Sequence, residues 1–163
     1  VNSVNQRLDL LHRYVKLRRN LLKLEDLEMY DMFTPLLGEP PIKFNYEEAQ
    51  AIVLEALKPM GEDYLEIVQA AFDEKWIDVY ENKGKRSGAY SSGSYDSKPY
   101  ILMNFQEGID SLYTLIHEMG HSLHSYLTNQ HQDYVYSHYS IFLAEIASTT
   151  NENLLTALSL IHI

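Results

Sequence analysis

The feature that most limits how this chain can fold lies between Ser111 and Asn129. Helical periodicity runs through that stretch, and its single formally charged residue is Glu118. At about 100° per residue, Leu112, Leu115, Ile116, Met119, Leu123, Tyr126 and Leu127 gather on one stripe. A second stripe carries His117, His121 and His124, with Glu118 beside His121 when viewed down the axis. A surface helix would place Lys, Arg or Asp on its outer face. This one has none, so both faces are expected to be covered. Asp110 reads as the N-cap of a helix over roughly 111–129. Gly120 costs about 1 kcal/mol relative to Ala in a helix interior, which predicts something packed closely against the backbone there.

His117 and His121 are four apart, so their rings share a face one turn apart, a separation from which two imidazole nitrogens reach one tetrahedral zinc. Glu118 then stands next to the metal without binding it, placed to accept a proton from activated water. With seven histidines in 163 residues, the H-E-x-x-H pattern arises by chance about 0.03 times in a chain of this composition. An open zinc site needs a third protein ligand. The segment 137–161 reads as a second helix with apolar Leu143, Ala147, Leu154, Leu158 and Ile161 on one stripe. Its only formal charges, Glu145 and Glu152, lie on the opposite stripe with His138. Two aligned carboxylates on an otherwise uncharged helix suggest a shared buried polar target. Glu145 is the expected third ligand, and Glu152, two turns on, the expected acceptor that orients a ligand histidine. Glu152 reads equally as a plain solvated or capping carboxylate; His124 is a further candidate for a group behind the ligands and reads equally as a buried, satisfied histidine; His138, on the Glu145 stripe, is a third candidate to touch the site.

The rest of the chain supplies the frame. Three helical segments are expected before residue 79: one with Leu8, Leu11, Val15 and Leu22 on a stripe that Arg18 and Arg19 crowd, one capped by Asn45, and one over 62–78. "FTPLLGEPPIKF" reads as a surface connection, and 79–105, rich in Gly, Ser and Tyr, as loop and strand with a β-like run "YILMNF" at an exposed sheet edge. The expected organisation is thus a helical part over 1–78, loop and strand over 79–105, and zinc-binding helices over 106–163. A net charge of -10 argues against a nucleic-acid partner. No apolar run reaches the roughly 20 residues of a membrane helix. With no cysteine, thiolate zinc sites and disulfide scaffolds are excluded, and a cytoplasmic setting is the expectation. The ends enter and leave helical periodicity abruptly, which suggests a piece of a longer polypeptide.

"HEMGHSLH", Glu145 in "FLAEIAST" and the block "KGKRSGAYSSGSYDSKPYILMNF" together resemble the thimet-oligopeptidase-like zinc metallopeptidases, and within them the oligoendopeptidase F branch. The resemblance implies a mainly α, zincin-like helical catalytic subdomain with a small β element before the active-site helix. It implies one Zn2+ per chain on His117, His121 and Glu145, with Glu118 as catalytic base. It also implies short peptide substrates and a larger enzyme whose Tyr-rich, His-bearing downstream segment grips them. Nothing in this chain matches that segment, so the rest of the parent polypeptide is an expected partner, and weak or no hydrolysis is expected of the piece alone. "GAYSSGSY", with Gly88, Ala89 and Tyr90 as the named candidates, could offer backbone groups to an extended peptide; its plain alternative is a flexible loop. Three other readings stay open: a helical interaction module with incidental histidines, a non-peptidase metal protein, and a structural zinc site with four protein ligands.

Overall fold

The computed structural model describes residues 2–36 and 43–162, with side chains described as far as residue 159. Residues 37–42 of the proline-rich connection lie outside the described residues. The chain divides into two compact units, over 1–41 and 42–163.

The first unit holds α1 (Asn2–Asn5), α2 (Leu8–Leu22) and a 3-10 turn over Met29–Phe33. Leu8 and Leu11 of the expected apolar stripe are exposed, because the unit has no second long helix among its described residues to cover them. Arg18, which disturbs that stripe, is the residue that is buried. Its Nη2 donates to the carbonyls of Asp31 at 2.8 Å and Thr34 at 2.6 Å, and its Nη1 to the Tyr14 hydroxyl at 3.1 Å. A guanidinium directs its fixed fork of donors at two carbonyls of the turn, and so ties the turn to α2.

The second unit runs α3 (Tyr46–Ala56), a 3-10 turn, α4 (Glu62–Asp73), β1 (Ile77–Asp78), β2 (Tyr90–Ser92), β3 (Tyr100–Leu102), α5 (Ile109–His131), a 3-10 turn over Tyr134–Tyr136, and α6 (Ile141–His162). Asn45 caps α3 in a reciprocal box: its Oδ1 accepts from Glu48 N at 2.8 Å and its N donates to the Glu48 carboxylate at 2.9 Å, satisfying two end donors.

Three boundaries and one strand position differ from the sequence expectation. The third helix stops at Asp73 instead of reaching 78. Lys75 takes a left-handed φ of 58°, and the N–H of Trp76 returns to Ala71 O at 3.0 Å. This C-terminal turn swings the 2 % exposed Trp76 into the core and starts β1 inside the stretch expected to be helical. "YILMNF" is not an exposed edge: the sheet order is β1-β3-β2, so β3 is central and β2 is an edge. Ile101 and Met103 are buried accordingly. At the start of α5 the N-cap is Gly108, and Asp110 sits in the first turn, where its carboxylate meets the helix's positive end. Finally, α6 begins at Ile141 rather than 137, since 134–136 form a tighter turn; His138 therefore precedes the helix that carries Glu145.

In α5 the expected stripe is the buried one, with Leu112, Leu115, Ile116, Met119 and Leu123 all in the core. In α6 it is not. Leu143 is 49 % exposed, and the buried line is Ala144, Ser148, Asn151 and Leu155. The reason is proximity. A Cβ added to Gly120 would stand 2.7 Å from Ser148 Cα and 3.0 Å from Ala147 O, so the backbones of α5 and α6 nearly touch. Only small residues fit such a crossing, which is why hydrophobicity alone mislocates the face.

Replacing Gly120 by Ala sets a helix-propensity gain of about 1 kcal/mol against overpacking that costs about 1–3 kcal/mol. Both clashing partners are backbone, so overpacking prevails. Gly120→Ala is expected to lower stability in urea denaturation; an unchanged or raised midpoint would contradict this account of the crossing.

Candidate metal centre

The close crossing delivers side chains from two helices to one point. From α5, His117 and His121 present their Nε2 atoms 3.0 Å apart. From α6, Glu145 Oε2 stands 3.5 Å from His117 Nε2 and 3.7 Å from His121 Nε2. Among the described residues these three form the group whose potential ligand atoms all lie within 4.8 Å of one another.

Two of the three, His117 and Glu145, are oriented by a second contact. His117 Nδ1 lies 2.5 Å from Glu152 Oε1. With a carboxylate as acceptor, Nδ1 carries the hydrogen and Nε2 turns a lone pair toward the other two groups. Glu145 Oε2 accepts from the hydroxyl of Ser148 at 3.0 Å, and Ser148 is fully buried against Gly120. Asn151, 1 % exposed, sits 3.2 Å from the Tyr64 hydroxyl and reaches Ile116 O at 3.4 Å, joining α6 to α4 and α5 behind the site.

Glu118 projects from α5 beside the pair and is 7 % exposed. Burial raises its carboxyl above the usual carboxylate range, and the nearby Glu145 adds to this. His117 and a hydrogen bond from the backbone of Ser91 pull the other way. Its Oε2 is buried without a hydrogen-bond partner. The β2 edge is pinned over it: Ser91 Oγ meets the fully buried Ser122 Oγ at 2.7 Å. Burial, with His117 next, holds the His121 imidazole below its ordinary value, partly offset by Glu145. That shift favours the neutral ring a metal requires.

The donor set fits zinc. A tetrahedral ion with bonds of about 2.0–2.1 Å keeps its ligand atoms about 3.3–3.4 Å apart, and the three observed separations of 3.0, 3.5 and 3.7 Å bracket that spacing. The unpartnered Glu118 oxygen beside the group fits a role toward a small polar molecule in the cleft. The cleft, of about 380 Å³, is lined by the three ligand candidates, Glu118, Ala89 to Ser91, and Tyr139.

Of the remaining candidates, His124 stacks on Tyr139 at 4.1 Å. Its Nδ1 is buried without a partner, and burial lowers its pKa; it makes no hydrogen bond to the ligand group. His138 faces Tyr134 at 6.5 Å and lines a neighbouring cavity. Gly88, with a left-handed φ of 85°, turns the chain toward β2 while its carbonyl accepts from Asn104 Nδ2 at 2.8 Å; Ala89 and Tyr90 line the cleft. Sequence reading passed over Ser91, Ser122, Ser148 and Asn151. Isolated hydroxyls and amides carry no period; the one hint was the run of small and polar residues in "EIASTTNEN".

Because Glu118 has a raised folded pKa, the metal-free chain bears a cost that grows as pH rises from the unfolded carboxyl value through the folded one. Glu118→Gln removes it while keeping an acceptor for Ser91. Metal-free Glu118→Gln is expected to melt higher than the parent at pH 7.5, with the difference closing toward pH 4. Equal melting at pH 7.5 would show that the carboxylate is not desolvated.

Comparison with known proteins matches residues 1–162 to the pattern of peptidase family M3. Oligopeptidase PepF of Bacillus subtilis is 53 % identical over 155 residues, covering 95 % of this chain and 23 % of that protein. Group B oligopeptidase PepB of Streptococcus agalactiae is 58 % identical over 156 residues, covering 96 % of this chain and 26 % of that protein. Among solved structures, a Chlamydophila abortus protein described as a peptidase superposes with a TM-score of 0.80 at 41 % identity, over 94 % of this chain and 26 % of that one. Oligoendopeptidase F of Enterococcus faecium superposes at 0.56 with 42 % identity, over 98 % of this chain and 20 % of that one. The chain spans about a quarter of the length of the relatives it matches.

Proposed function

This chain belongs to peptidase family M3, and on that footing we propose that it forms the metal-binding part of a zinc peptidase acting on short peptides. The carrying observation is the convergence of His117, His121 and Glu145 from two helices on one point, with Glu118 alongside. His117, His121 and Glu145 would hold one Zn2+, leaving the fourth position open. When bound there, zinc supplies Lewis-acid chemistry, drawing density from a carbonyl oxygen and making water more acidic.

The chain's own residues do the rest. Glu118 accepts a proton from water in the cleft and returns it to the departing amine. Burial suits it to that exchange, because a raised pKa makes the carboxylate a stronger base toward water, while the carboxyl it forms is still acidic enough to protonate an amine. Glu152 holds His117 in the tautomer that keeps Nε2 free. Ser148 holds the Glu145 carboxylate. Ser91, pinned through Ser122, keeps the β2 edge against Glu118. The names of the relatives, oligopeptidases and oligoendopeptidases, support peptides of modest length as substrates. No helix among the described residues is long and apolar enough to cross a membrane.

Purified chain loaded with zinc and dialysed is expected to retain one equivalent by elemental analysis, and His117→Ala to retain none. Glu152→Ala is expected to weaken zinc binding by about 10–100-fold, read by competition with a chromophoric chelator. In the longest polypeptide that contains this chain, Glu118→Gln is expected to keep the metal and lose peptide hydrolysis. Full hydrolysis by that variant would overturn the assignment of the base.

A further inference from the structure

A second cavity, of about 420 Å³, lies against the cleft and is not used by the chemistry above. It lies within the size range of small-ligand sites. Tyr139 and Ser125 line both spaces. The Tyr139 hydroxyl meets Ser125 Oγ at 2.5 Å, and its ring stacks on His124 at 4.1 Å and 27°. Since His124 lies one helical turn after His121, this partition is held in register with the metal ligands.

The far walls are also braced. Tyr95 donates to Gln132 O at 2.7 Å and meets the Tyr134 ring edge-on at 5.5 Å and 84°. Buried Ser137 donates to Tyr134 O at 2.9 Å, and Tyr134 faces His138 at 6.5 Å and 66°. The lining contains no Lys, Arg, Asp or Glu, in a chain of net charge -10. Three rings in edge-on contact, Tyr95, Tyr134 and His138, with Tyr139 on the partition and hydroxyls between them, offer an inserted ring both faces and edges. A charged side chain would lose hydration there without gaining a counter-charge. The adjacent carboxylates of Glu118 and Glu145 further disfavour an acidic one.

From this we propose that the cavity is a side-chain subsite, selecting an uncharged aromatic residue of the peptide near the bond to be cut. The inference rests on the peptidase reading, because it takes the neighbouring cleft as the place where the backbone lies. Tyr139 is the specificity-determining partition, and Tyr95 and Tyr134 are the rings that grip the inserted side chain.

The test uses the zinc-loaded Glu118→Gln variant of the longest polypeptide that contains this chain, so that peptides are not consumed. Blocked hexaglycine peptides, each with one position replaced in turn by Phe, Asp or Lys, are titrated and their Kd values measured by NMR. At one position Phe is expected to bind about tenfold or more tighter than Gly, the scale of one filled apolar pocket, with no gain for Asp or Lys. Asn129→Trp, which fills the cavity from α5, is expected to erase the Phe gain while leaving zinc content and all-glycine affinity unchanged. Tyr134→Ala, at a 64 % exposed position, is expected to reduce the same gain and stands in if Asn129→Trp does not fold. A chain that takes up no zinc overturns the peptidase reading and this inference with it. A chain that binds zinc but shows no Phe gain, or keeps it in both variants, overturns the subsite alone.

Discussion

The near contact of two helix backbones at Gly120 and Ser148 is the constraint on which the rest of the second unit depends. Side chains of ordinary size hold packed helices about 8–10 Å apart. Here a missing Cβ on one side and a serine on the other allow a closer approach. The approach has a direct consequence for chemistry. His121 follows Gly120 immediately, and Glu145 lies one turn before Ser148, so what sets the spacing of the helices also sets the spacing of the two imidazoles and the Glu145 carboxylate. Ser148 then acts twice, touching Gly120 through its backbone and holding Glu145 through its hydroxyl.

Around that crossing the molecule gathers groups that are individually unfavourable to bury. Glu118 is desolvated with one oxygen unpartnered, His121 is pushed toward its neutral form, and three carboxylates converge on two imidazoles. The core beneath offsets this with large apolar side chains, Trp76, Ile101, Leu115, Ile116, Met119 and Leu123, all buried. Placing poorly solvated, titratable groups on rigid elements over such a core is how a site keeps its chemistry in register. The β2 edge adds a lid of backbone, fastened by one serine pair.

Much of α5 was legible in the sequence because it obeys periodicity: the apolar stripe, the separate histidine stripe and the glycine each carry a local signature. Family M3 membership agrees with the resemblance drawn from the same residues. The departures occur where a local rule met a tertiary demand. The helix expected to reach 78 gives way at Lys75 because Trp76 is buried by turning inward. The stripe assigned to α6 is displaced because the buried face must be small to meet Gly120. Asp110 gives up the cap to Gly108, one residue outside the helix's actual start at Ile109. Arg18, an intruder in a hydrophobic pattern, is a donor to carbonyls 13 and 16 residues away.

By itself, then, the sequence determined which residues could do chemistry and which of them share a helix face, since spacing along one helix is a property of the backbone alone. It paired His117 with His121, and it singled out Glu145 and Glu152 as carboxylates without charged company. Only the tertiary structure decided that Glu145 Oε2 closes on both imidazoles while Glu152 turns to His117 Nδ1. It alone brought Ser91 to Glu118, and it alone set His138 apart from the site, in the wall of a neighbouring cavity. Those distinctions depend on the angle and distance at which two helices and an edge strand meet. That geometry is fixed by packing between residues far apart in the chain, which leaves no period for a sequence to display.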